Sequence, residues 1–291
     1  MKRALTFLQG ARRNPKLTIG VVILTLVLLA AILNGPLLAL DAGHLGRDPL
    51  GFGPDHWALP DSRNLLGTDG VGRDVLALII VGLVTSVKIG LIAGVCSTVI
   101  AVVIAFIAAY KGGIFDIALA GFTDVFLVIP TLPLLIVLSA FDKNVNLVQI
   151  GLVLAIFSWP GAARHIRSQV LSLRSRPYVD LAKVSKLNDL EIIFKELLPN
   201  MAPFVALGMA YAVVASMTAL IGLEVIGLGP SGVIDLGLVL NYALGGALTI
   251  GAWGIVVAPI LLLALIFFAL TLVNIGLEAT YNPRLRKVAG A

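Results

Sequence analysis

Residues 86–110 read SVKIGLIAGVCSTVIAVVIAFIAAY, a run whose only charged side chain is Lys88. Apolar residues fill every face of any helix drawn through it, and no alternation of polar and apolar positions exists for a half-buried strand. A lipid bilayer core about 30 Å thick is crossed by about 20 residues of helix, because each backbone N–H and C=O must find its partner inside the segment. The stretch is therefore read as a membrane-crossing helix.

Working outward, five further runs of this kind appear at 17–40, 115–140, 146–161, 203–228 and 250–276, the fourth being the shortest. All are too uniformly apolar for barrel strands, which alternate over about ten residues. The expected fold is an all-α membrane protein with six transmembrane helices in one domain, 17–276. The composition agrees: of 291 residues 59% are hydrophobic and 13% charged, with a mean hydropathy of +1.03. No internal repeat or low-complexity linker divides the chain. The basic start, with Lys2, Arg3, Arg12 and Arg13, imitates a secretory signal. The apolar run that follows is longer than a signal's core, so it is read as a retained first span.

Lys and Arg accumulate in cytoplasmic loops during insertion. Sixteen of the 21 fall on one side: five in 1–16, Lys111, seven in 162–202, and Arg284, Arg286 and Lys287. Arg47, Arg63, Arg73, Lys88 and Lys143 fall on the other. Both termini are expected in the cytoplasm, with an outer loop at 41–85, an inner loop at 162–202 and a tail at 277–291. The basic residues lie between apolar spans without interleaved aromatics, which excludes a nucleic-acid surface despite the net charge of +5. One cysteine, Cys96, provides neither a disulfide framework nor a thiolate cluster and reads as a small buried hydrophobe.

The inner loop carries RPYVDLAKVSKLNDLEIIFKELLPN at 176–200. This resembles the cytoplasmic EAA loop of permease subunits in binding-protein-dependent ATP-binding-cassette importers. A second stretch, LGTDGVGRD at 66–74, is similar to the GTD-x-x-GRD segment of the dipeptide, oligopeptide and nickel branch, in its second permease type. Asp124 within FTDVFLVIP (122–130), Trp159-Pro160, Ile226-Gly-Leu-Gly229 and NPRLR (282–286) match in the same order. The chain departs from the pattern at Asp180 and Leu181, and Lys186 stands where the family has glycine. After Gly229 it reads PSGVIDLG rather than a Pro-rich segment ending in Trp-Gly.

The resemblance implies a type I importer fold and a partner set. The partners are a homologous second permease, two ATP-binding subunits that hold ATP and Mg, an extracytoplasmic solute-binding protein, and the lipid of a prokaryotic inner membrane. It implies that Tyr178, Val179, Asp180, Leu181, Ala182, Lys183, Lys186 and Leu187 couple to the ATPase. It marks Gly67, Thr68, Asp69, Gly72, Arg73 and Asp74 as a family motif, and it favours an interfacial helix over a disordered tail for 1–16. Short peptides are the expected cargo, with oligosaccharides as the alternative because the segment after Gly229 departs. No Gly-x-x-x-x-Gly-Lys-Ser/Thr cradle for nucleotide phosphates occurs in the sequence, so a transport subunit without an ATPase site of its own is expected. An ion-coupled secondary transporter would more naturally show coupling acids in paired inverted halves, and a membrane enzyme would need a His/Asp or His/Glu constellation within the spans.

Four further residues are candidates for the translocation path. Asp124, an acid within a span, requires either an interhelical partner or a water-filled cavity. Glu224 either touches cargo or reaches headgroup water. Pro130 and Pro133 remove two backbone donors, giving a kink that can mark a binding site. Gly90 and Gly94, four apart, suit close helix packing. His44 and His56 match no metal-site spacing and read as solvated, as does His165. Trp57, Trp159 and Trp253 are expected at headgroup level.

Overall fold

The computed structural model describes residues 14–141, 146–230, 232–250 and 253–281. The N-terminal segment 1–13, most of the tail from 282 onward and Lys143 lie outside them, and with them the interfacial-helix expectation and the NPRLR match. Ten helices account for most of the described chain: α1 (Pro15–Ile32), α2 (Asn34–Leu45), α3 (Val75–Lys111), α4 (Gly113–Val128), α5 (Thr131–Phe141), α6 (Leu147–Leu173), α7 (Pro177–Val184), α8 (Leu198–Val225), α9 (Leu236–Ile250) and α10 (Trp253–Tyr281). A short helical turn, Asp189–Glu191, and a wide turn, Ile192–Leu197, lead into α8.

Five of the helical segments are long and apolar enough to cross a membrane, and the α4–α5 pair, bent by 70°, makes a sixth if it is counted as one broken span. Each expected span has a helical counterpart, with shifted ends. The second begins at Val75 rather than 86, because the side chain of Asp74 accepts the Ala77 N–H and starts the helix there. The fourth continues to Leu173 rather than stopping near 161. Its arginines find acids on α4, so a charge does not end it. The first breaks after Ile32, and the stretch between the fifth and sixth apolar runs holds most of α9, started by Asp235 through the Leu238 N–H.

α3 is the central strut, packed against α6 and α8. At 37 residues it is about 55 Å long. α8 runs antiparallel beside it: Gly90 lies against Met217, Gly94 lies against Val213, and Tyr110 donates to Asp189, ahead of α8, at 2.9 Å. A Cβ at Gly94 would fall 2.3 Å from a Val213 methyl, so glycine is what lets these helices touch. α1 packs on α10, where Gly20 and Gly276 give the same close approach. Outward faces carry exposed apolar side chains such as Leu26, Val99, Val103, Leu261 and Phe268, as lipid requires. The Gly67–Asp74 segment and α7 sit at opposite ends of this bundle.

Candidate functional site

The expected coupling residues form one structural unit. Pro177 occupies the first turn of α7, where its missing N–H costs nothing. Val179 and Ala182 are buried in a cluster with Ala105, Phe106 and Ala109 of α3, Ile166 and Val170 of α6, and Ile192 and Leu197 ahead of α8. The helix packs chiefly on the wide turn Ile192–Leu197 that leads into α8, and through that cluster its buried face meets the ends of the spans. Its other face is open: Leu181 is 67% exposed and Val184 79%, and Leu190 and Phe194 beyond the turn are 66% and 62% exposed. Asp180 and Lys183 pair across one turn at 3.7 Å, both largely in solvent.

Lys186 stands at φ +60, in the left-handed region. The Leu187 N–H donates to Ala182 O at 3.2 Å and the Lys186 N–H to Lys183 O at 2.9 Å, the pair of bonds that closes a helix in a Schellman turn. Lysine therefore stands in the left-handed conformation that glycine favours, and the Schellman turn closes around it. Asn188 and Glu191 then cap the next segment reciprocally. In the wide turn that follows, the Leu198 N–H donates to Ile193 O, five residues back.

The intramembrane acid Asp124 is ion-paired with Arg164 of α6. One turn further along α6, Arg167 forks onto Asp116 with bonds of 2.6 and 2.7 Å, and Arg174 donates to Ala109 O at 2.5 Å. Asp124, Arg164 and Arg167 line a cavity of about 170 Å³ between α3, α4 and α6. The charges that ended the fourth span in the sequence reading are thus what fastens α6 to α4 and α3. Asp116 and Arg167 are not among the sequence candidates; the signal for them is two acids and two arginines, each set within a few turns, on neighbouring spans.

Glu224 is 1% exposed and folded beneath the Ile226–Gly229 loop, where a Cβ on Gly229 would meet its carboxyl at 2.0 Å. The structure therefore places it neither at headgroup water nor on an open surface. Pro130 lies at the α4–α5 bend, preceded by Ile129 in the extended conformation that a residue before proline adopts, and Pro133 fits in the first turn of α5.

At the other end, the 66–74 motif is a folded knot. Asp69 accepts the N–H groups of Val71 and Arg73 and pairs with the Arg73 guanidinium at 2.6 Å, which in turn stacks 4.9 Å from the Tyr242 ring. Thr68 bridges Ala58 N and Asp55 O. Gly72, at φ +79, lies so close to Gly53 that a Cβ would meet its carbonyl at 2.3 Å. Asp74 is 1% exposed; burial pushes its carboxyl up to about 6 against the lowering pull of the Ala77 N–H, and Asp41 beside it adds to the rise. His44 and His56 brace the loop by bonding Ser62 O and Gly70 O, at 2.7 and 2.8 Å. Among the described residues no group of three or more His, Cys, Asp or Glu could hold a metal ion.

Residues 101–287 match the family model for the binding-protein-dependent transport system inner membrane component. The chain belongs to this permease family. It is similar to the oligopeptide transport system permease protein OppC of Lactococcus lactis subsp. cremoris, 30% identical over 181 residues, or 62% of each chain. The match thus spans about three fifths of that relative's length. It is also similar to OppC of Mycobacterium tuberculosis, 30% identical over 233 residues and 79% of each chain, and to the dipeptide transport system permease protein DppC of Haemophilus influenzae, 29% identical over 280 residues, 95% of this chain and 93% of the relative.

Within this permease the expected residues fall into four separate places: the α7 unit, the knot at the opposite end, the α4–α6 region of the spans, and Glu224 beneath the loop that follows α8. One tryptophan expectation is corrected. Trp159 is 2% exposed, packed with Phe122 and Phe126 inside the bundle, because α6 runs well past it. Trp57 lies against Gly70 and Gly246. The side chain of Trp253 is outside the described residues. His165 is exposed, as expected, but its ring stacks on Tyr211, with centroids 5.2 Å apart and planes within 7°.

Proposed function

We propose that the permease is one of two membrane subunits of an ATP-binding-cassette importer for short peptides, seated in a prokaryotic inner membrane with both termini in the cytoplasm. The observation that carries this reading is the two-sided α7. One face is locked by Val179 and Ala182 into the α3–α6–α8 core, and the other offers Leu181 and Val184 beside Leu190 and Phe194. Apolar side chains exposed to water on a short charged helix suit a protein partner. A motor gripping that face moves the spans, since the helix packs on the turn that leads directly into α8 and a push on it passes to that span. In this reading, two ATPase chains bind ATP and Mg, a homologous permease completes the path, and an external binding protein delivers cargo. The names of the OppC and DppC relatives support peptides over sugars.

The test is uptake of a labelled oligopeptide by proteoliposomes holding all five chains, with the binding protein supplied on the outer face. Uptake is expected to require ATP, to stop with vanadate, and to survive ionophores. Vanadate-resistant, ionophore-sensitive uptake would make the chain a secondary transporter. Import of an oligosaccharide but of no peptide would leave the machine intact and change its cargo.

A further inference from the structure

At the bend between α4 and α5 lies a cavity of about 270 Å³, open to the surface of the chain and walled by Phe126, Ile129, Phe157, Ser158, His165 and Tyr211. Its lining contains no Asp, Glu, Lys or Arg. Two features equip it for a ligand. The carbonyls of Phe126 and Ile129 would be bonded, in an unbroken helix, by the N–H groups of residues 130 and 133. Both are proline and have none. Broken backbone at membrane depth persists where it borders a cavity rather than lipid. The second feature is flat and amphipathic: His165 stacked on Tyr211, both exposed, with Ser158 beside them held by the Ser216 hydroxyl at 2.8 Å.

A ligand suited to these walls brings N–H donors for two carbonyls and an uncharged apolar or aromatic group for the rings. A peptide backbone with one large side chain does both, and the volume suits one such side chain. We propose that this cavity is a side-chain pocket of the translocation path. It receives one apolar or aromatic side chain of the passing peptide while the carbonyls at the bend accept its amide N–H groups. The assignment rests on the peptide-importer reading and names the part of this chain that the cargo touches.

The test measures kcat/KM for uptake by the complete reconstituted transporter, comparing a peptide containing phenylalanine with one of glycine and alanine only. Ala215, on the pocket wall, becomes Ala215→Phe to fill it. Uptake of the phenylalanine peptide is expected to fall roughly tenfold or more, the discrimination a hydrophobic pocket gives when its space is lost, while the glycine–alanine peptide stays within about twofold. Tyr211→Leu, which removes one ring of the stack, is expected to lower uptake of the phenylalanine peptide while the glycine–alanine peptide stays within about twofold. Equal loss for both peptides, or no change in either variant, overturns the pocket. Loss of permease pairing in Ala215→Phe with unchanged selectivity in Tyr211→Leu assigns the cavity to the subunit interface and overturns it too. A wild-type transporter that imports no peptide refutes the importer reading itself, a result separable from any of these.

Discussion

Substituting Lys186 tests the turn that presents α7. Its φ of +60 places a Cβ-bearing residue where a glycine is unstrained, at a cost of about 1–2 kcal/mol. Lys186→Gly removes that cost but gives back about 0.5–1 kcal/mol in chain entropy, a net gain of about 0.5–1 kcal/mol. Lys186→Val adds a branched Cβ and loses on the order of 1 kcal/mol. The amide to watch is Leu187, which donates to Ala182 O only while the turn is closed. By hydrogen–deuterium exchange of the purified transporter, its exchange is expected to slow about two- to fivefold in Lys186→Gly and to quicken about fivefold in Lys186→Val. Cargo-stimulated ATPase activity should follow the same order. Faster exchange in the glycine variant, or no effect of valine, would show that the chain does not turn left-handed at 186 and would remove the Schellman geometry from the account.

Gly94→Ala is expected to lower stability by about 1–3 kcal/mol, because its Cβ meets Val213 at 2.3 Å; Val213→Ala in the same chain should restore most of the loss in a thermal melt in detergent. A double-mutant cycle on Arg167→Ala and Asp116→Ala should give a coupling energy of about 1–3 kcal/mol, whereas additive losses would mean that the fork does not hold α6 to α4. The folded pKa of Asp74, near 6, exceeds the unfolded value of 3.8, so the folded loop binds the extra proton. Its stability should decline as pH rises from about 4 to 6 and level off above. Protease protection of residues 46–74 is therefore expected to be greater at pH 5 than at pH 7.5, with Asp74→Asn, which retains a cap oxygen, flattening the difference.

The sequence exposed the spans because their apolar runs need no partner to be recognised. It misplaced their ends wherever a polar residue served the helix instead of stopping it. Arg164 and Arg167 read as loop charges until Asp124 and Asp116 are seen opposite them on α4, and such pairing depends on which helices become neighbours. Asp74 and Asp235 are helix starters followed directly by apolar residues, a signal present in the sequence that would have placed α3 and α9 correctly. The 178–187 segment was legible as a charged helix followed by a turn, but nothing in the sequence showed that Lys186 itself would take the left-handed conformation. The cavity at the α4–α5 bend was half legible. Pro130 and Pro133 announced the break, but His165 and Tyr211, 46 positions apart, meet only because α6 and α8 pack together.

The central claim is that the open face of α7 is held by a cytoplasmic ATPase. Cys96 is the chain's single cysteine, so in a Cys96→Ser background Val184→Cys and Val179→Cys can be compared by cross-linking in the assembled transporter. Val184 is 79% exposed and Val179 is fully buried. The account predicts a cross-link to the ATPase from Val184→Cys and none from Val179→Cys. Labelling of Val184→Cys by an impermeant thiol reagent added outside intact cells, with no ATPase adduct in the purified complex, would contradict it.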